Sequence, residues 1–329
     1  MLTPGLRLGA AIGGGAVASL LLLPGAAPAL TKGADLRVVN SAGKILAEQR
    51  QYTGTVRIKT DPQADCFGSP GGSGDRVKVR GATALGIVRD ALGSDRDLRP
   101  LSVTDQFSFG LAVCGIGGYE AQGSSFWYLK HDHAGAQVGG DQLRLSNGDQ
   151  VLWYLAPAFP PPPELLLKAP ARAQPGVPFQ VTVFEYGDGG ARSPASADTR
   201  VTGGDAAATT GAGGTASVTV SGAGTAKLRA TRNLDAAIPS NVVEVCVDSE
   251  PSKCPERHGK RIYGSARGDE IDGTRGWDKI RSQRGGDRVD LRKGGVDRVR
   301  CGRGRDVVVR DSGDRDDKVG ASCERVIRR

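Results

Sequence analysis

The chain has 329 residues, too many for one ordinary small domain and suited to two or three of about 100 residues each. Aromatics are only 5% of it while glycine occurs 49 times, a composition of short strands and turns that argues against long helices. The formal net charge is +8, and its distribution along the chain matters more than its size.

Residues 1–29 read as a secretory signal peptide. Arg7 precedes an apolar run from about Gly9 to Leu23, and Ala27-Pro28-Ala29 places small residues where a signal peptidase inspects them. The run is broken by glycine and falls short of the roughly 18 to 20 residues that a membrane span needs. No other stretch predicts a transmembrane span. Export makes disulfides the expected state of the six cysteines. Many connectivities are open on paper, but the cysteines fall two to each proposed domain or boundary. That favours Cys66–Cys114, Cys246–Cys254 and Cys301–Cys323. The competing reading is zinc, for which no Cys-x-x-Cys pair exists.

In residues 30–155, "TGTVRIKT" (53–60) and "DRVKVRG" (75–81) alternate apolar and polar residues as half-buried strands do. "TALGIVRDALG" (83–93) predicts one helix, capped by Thr83, ended by Gly93, with Leu85, Val88 and Leu92 on one face. "LSVTDQFSFGLAVCGIGGYE" predicts a hairpin, and "SSFWYLK" and "DQLRLSNGDQVLWYL" the closing strands, with Asn147-Gly148 as a hairpin turn. Four or five strands with one helix across them make an α+β domain. "SSFWYLKHDHAG" followed by "GGDQLRLSNGDQVLWYLAP" resembles the bacterial domain of unknown function that is similar to the C-terminal β-grasp domain of transcobalamin and intrinsic factor. The match rests on Phe126-Trp127-Tyr128 and on Gly148-Asp149-x-Val151-x-Trp153-Tyr154, and it departs at "KHDHAG", where the family has an asparagine-glycine turn. The resemblance implies a β-grasp fold. It does not carry over cobalamin binding, since the helical barrel of the vertebrate carriers is missing. Within the same segment, Trp127, Tyr128 and Trp153 are candidates for an aromatic face that stacks on a ring-shaped ligand, against the plainer expectation of core packing. His131 and His133 could serve a transition metal but lack a third ligand.

The proline run of 156–164, "APAFPPPPE", predicts a stiff spacer. Residues 165–248 show short alternating strands with turns about every ten residues, the pattern of a small β-sandwich. Gly214 to Val220 and Ser240 to Val245 resemble strands of bacterial immunoglobulin-like modules, which implies a structural spacer. Residues 249–259 form a second linker.

Residues 260–329 hold a repeat centred on Asp269, Asp278, Asp287, Asp297, Asp306 and Asp317, each followed two places on by Ile or Val. It resembles the hemolysin-type nonapeptide repeat, and that resemblance implies a short parallel β-roll whose aspartates line two edges and hold calcium. The metal candidates are Asp278, Asp287, Asp297 and Asp306 with Gly276, Gly285, Gly295 and Gly304. The segment departs from the pattern in charge: 20 lysines and arginines face 13 acidic residues, a net of +7. Arginine hydrogen-bonds carboxylates in pairs and keeps its charge, so it could neutralise the columns in place of calcium.

The expected fold class is therefore mainly β with one α+β domain: a β-grasp domain, a small β-sandwich and a short parallel β-roll. "CFGSPGGSGD" (66–75) lacks the lysine of a phosphate loop, and no serine sits in a nucleophile turn near His258, Glu256 and Asp248. These features predict no enzyme. They predict an exported binding or adhesion protein whose basic repeat docks on a cell-surface polyanion or glycan. The alternatives are a carrier of a small ring-containing ligand and a hydrolase accessory protein. Export disfavours a specific nucleic-acid partner.

Overall fold

The computed structural model describes residues 31–68, 71–233, 236–312 and 316–329. The signal-peptide segment lies outside the described residues. The chain is mainly β, with a single α-helix among the described residues, at Ala84–Ala91. All six cysteines are paired, as Cys66–Cys114, Cys246–Cys254 and Cys301–Cys323. Among the described residues no helix is long and apolar enough to cross a membrane.

The organising element is a nine-stranded sheet that joins the first unit to the repeat. Within it Lys32–Val39 is flanked by antiparallel Ile45–Thr53 and parallel Gln150–Ala156, with Phe126–His131 beyond. The helix covers one face. Thr83 Oγ1 caps it by accepting the Gly86 N–H at 3.0 Å, and Leu85, Ile87 and Val88 pack with Leu36, Val38, Val151 and Trp153. Cys66–Cys114 then ties this core to the side sheet of Leu101–Phe107 and Gly110–Ile116.

The opposite face is covered by the second unit. Two small sheets, one built on Glu164–Lys168 and Phe179–Tyr186, the other on Gly224–Thr231 and Val243–Val247, enclose Leu165, Leu167, Val183, Leu228 and Val245. This unit docks rather than hanging from a spacer. Ile238 joins Val39, Leu152 and Tyr154 in an apolar patch. Glu164, the last residue of the expected linker, opens a strand and is buried. Its carboxylate meets Arg37, lies 3.8 Å from Lys130 Nζ, and is 3.1 Å from His133 Nδ1. Burial opposes its charge, but Arg37 leads the cationic neighbours that together hold Glu164 below the usual carboxylate range.

Two local expectations are corrected. Asn147-Gly148 does not close a hairpin. Asn147 Oδ1 accepts the Gly33 N–H at 2.9 Å and Gly148 turns at φ +95°, so the following strand enters parallel to Lys32–Val39. The tight turn is Asp132-His133, with φ of 46° and 71°, in the place expected of asparagine-glycine. Residues 32–53, which carry the longest strands of the sheet, show no clean alternation, because both faces are covered and polar side chains are buried on each.

The repeat continues this sheet. Arg261–Tyr263 pairs in parallel with Ile45–Thr53, Arg50 opposite Ile262 and Gln51 opposite Tyr263. Gln51 Nε2 donates to Gly264 O at 2.7 Å, the Tyr52 hydroxyl accepts from Asp272 N at 3.2 Å, and the Tyr52 ring packs with the repeat's apolar core. The first coil is thus templated by the edge of the N-terminal unit. A fragment of residues 255–329, disulfide intact, should therefore show little strand signal by far-ultraviolet circular dichroism. A well-folded isolated fragment would show that the shared edge is dispensable.

Candidate functional site

Two parallel ladders form the repeat. The first stacks Arg261–Tyr263, Lys279–Arg281, Arg298–Arg300 and Lys318–Val319; the second stacks Glu270–Asp272, Arg288–Asp290, Val307–Arg310 and Arg325–Arg328. Ile262, Ile271, Ile280, Val289, Val299 and Val308 fill the thin core between them. Each aspartate of the repeat sits just before a strand and is buried.

Stacked carboxylates about 4.8 Å apart repel unless something compensates them. Here the compensation is the backbone of the preceding coil. Asp287 Oδ1 accepts the N–H of Asp269 at 2.9 Å, Asp306 Oδ1 that of Asp287 at 2.9 Å, and Glu324 that of Asp306 at 2.8 Å. In the other column Asp278, Asp297 and Asp317 accept from Lys260, Asp278 and Asp297 at 2.7, 2.8 and 2.9 Å. Ser265 and Thr274 add hydroxyl and N–H donors to Asp269 and Asp278. Arginine does not supply the compensation at Asp269, Asp278, Asp287 or Asp306, which form no salt bridge among the described residues. Arg267 pairs instead with Asp90 of the helix, Lys293 with Asp272, and Arg292 with Asp290. The cause is the period-2 alternation of strands: the residue after each aspartate points outward while the next points in.

A calcium ion here would share the aspartates with these backbone donors. The ion takes six to eight oxygens, whereas one oxygen of each of these aspartates from Asp278 onward already accepts a neighbouring N–H. Asp306 keeps Oδ2 without a hydrogen bond, but among the described residues no three ligand side chains of the repeat converge. The glycines of the metal candidates lie against the backbone of the neighbouring coil. A Cβ on Gly276 would lie 2.3 Å from His258 carbonyl carbon, on Gly285 2.3 Å from Arg267 O, on Gly295 2.2 Å from Gly276 O, and on Gly304 1.7 Å from Gly285 O. They let one coil's backbone rest on the next.

What the register assembles is charge. The outward columns of the first ladder are Arg261, Lys279, Arg298 and Lys318, and beside them Tyr263, Arg281 and Arg300. All six cations are exposed, and none forms a salt bridge among the described residues. The Arg281 guanidinium lies 5.9 Å from the Tyr263 ring centre. The second ladder is mixed, with Glu270, Arg288, Val307 and Arg325 in one column and Asp272 and Asp290 opening the other.

The aromatic candidates do not form an open face. Trp127 is 6% exposed and Trp153 4%. Both indoles lie in the helix-side core, donating at 3.0 Å to Tyr119 O and Ala84 O. Tyr128 points the other way, its hydroxyl donating to Asp188 of the second unit. These residues join units and fill cores, so a ring-shaped ligand has no stacking surface on the indoles. No protein-family model matches the chain, and no curated protein matches it.

Three outcomes follow for the repeat. Gly285→Ala and Gly304→Ala, at φ of +120° and +150° with backbone in the way, should each lower stability by more than about 2 kcal/mol in chemical denaturation. Gly294→Ala, at φ +89° but with open space, should cost about 1 kcal/mol. Burial, aided by neighbouring Asp269 and Asp306, raises Asp287 from 3.8 to about 7. The folded chain then holds a proton that the unfolded chain releases, so this group's contribution to stability falls as pH rises from about 4 to about 7. Asp287→Asn keeps the Oδ1 acceptor and should flatten that slope in melting scans. Scans in calcium and in chelator should superimpose.

Proposed function

We propose that the chain is an exported, non-catalytic binding protein that docks on a polyanionic surface polymer through the first ladder of its repeat. The observation that carries this is the pair of outward columns: six exposed cations with no salt bridge among the described residues, successive residues of a column about 4.8 Å apart. A face of one sign without internal counter-charge attracts a linear polyanion over a distance set by the ionic strength. The mixed second ladder leaves the repeat one-sided. Three disulfides support an oxidising destination.

The parallel ladders support reading residues 260–329 as a member of the nonapeptide-roll type, and the helix-covered sheet supports the β-grasp reading of the first unit. On this reading the sandwich is a clamp that covers the sheet's second face.

Binding of the full chain to immobilised heparin, as a model sulfated polymer, tests the proposal. Exposed charge pairs contribute up to about 1 kcal/mol each. Lys279→Glu with Arg298→Glu should therefore weaken binding by roughly tenfold or more and lower the eluting salt concentration. Arg325→Glu, on the second ladder, should change it far less. Equal effects of the two changes would mean that net charge, and not this face, is responsible.

A further inference from the structure

The Asp132-His133 turn separates the two histidines that the sequence places side by side. His133 turns under the sheet, where its Nδ1 meets Glu164 and its ring stacks on Tyr186 with centres 3.9 Å apart. His131 stays at the end of its strand, opposite Val151. That register brings in a residue eighteen positions away: His131 Nε2 lies 2.9 Å from Asp149 Oδ2 and 3.6 Å from Asp132 Oδ2. The three ligand atoms all lie within 4.8 Å of one another.

We propose that His131, Asp132 and Asp149 bind a divalent transition-metal ion of the zinc class. Ligand atoms held about 2.0 to 2.2 Å from one ion are themselves roughly 3 to 3.5 Å apart, and the 2.9 and 3.6 Å distances from His131 Nε2 lie close to that range. One imidazole and two carboxylates suit a borderline ion rather than calcium, which needs more oxygens. The carboxylates are already held in place by the backbone. Asp149 Oδ2 accepts the Ser146 N–H at 2.8 Å, and Asp132 Oδ1 accepts the Gln150 N–H at 2.8 Å, supports of the kind that orient metal ligands. Neither carboxylate has a lysine or arginine salt-bridge partner among the described residues, although the chain carries a net charge of +8. A divalent ion would balance the two. The side chains are 28%, 56% and 16% exposed for His131, Asp132 and Asp149, so the ion can enter and keep water on its open positions. The same turn leads into Gly135, whose N–H donates to Asp188 O of the sandwich at 2.8 Å. Metal binding would stiffen the joint between the two units.

The test is calorimetric titration of Zn²⁺ into the chelator-treated full chain near neutral pH, with thermal melting alongside. One equivalent should bind and raise the melting temperature. His131→Ala and Asp132→Asn should each weaken binding by about tenfold or more. Asparagine tolerates the left-handed backbone of position 132, so the second variant reports on ligation in a folded chain. His258→Ala, which removes an exposed histidine bonded to Ala169 O, should leave binding unchanged. Absence of saturable binding below about 1 mM, or binding that survives both His131→Ala and Asp132→Asn, would overturn the assignment.

Discussion

The pairing of Ile45–Thr53 with Arg261–Tyr263 is the contact on which the rest of the molecule depends. A short parallel coil buries little on its own, and its first strand has no partner behind it. Here the mixed sheet of the first unit presents the edge of Ile45–Thr53, and the repeat begins on that edge. Gln51, Tyr52 and Lys260 reinforce the seam through a carbonyl, a backbone N–H and Asp35. Two liabilities, an exposed sheet edge and an uncapped solenoid end, cancel by being joined.

Stacking on that template explains the composition of the repeat. Coils held at strand spacing leave no room for a Cβ where backbones meet, which accounts for Gly276, Gly285, Gly295 and Gly304. The same closeness lets a carboxylate of one coil accept the N–H of the coil before it, so buried aspartates hold the stack through hydrogen bonds. The cations beside them in sequence are then released to the surface, where the alternation of the strand sends them. One face becomes a charged ladder because of how the coils register.

Much of this was legible in the chain itself. The recurring aspartate with Ile or Val two places on marks the coils, since each coil contributes one inward side chain to a thin core. The helix at Ala84–Ala91 was legible from Thr83 and its apolar face. Lys32–Val39 and Ile45–Thr53 were not, because Gln49, Gln51 and Arg37 are buried there, Glu48 is half-buried, and each finds a partner in a distant segment. The indoles of Trp127 and Trp153 looked available for a ligand because sequence does not say which face of a strand is covered.

By itself, then, the sequence determined the β-rich character, the repeat and its period, and the surplus of positive charge, all of which are local or additive properties. The tertiary structure decided that Glu164 is an interface carboxylate, that His131 meets Asp149 rather than His133, and that six cations share one face. Each of these depends on strand order and register between residues far apart in the chain. A one-residue shift in register would send every one of those side chains to the other side of its sheet.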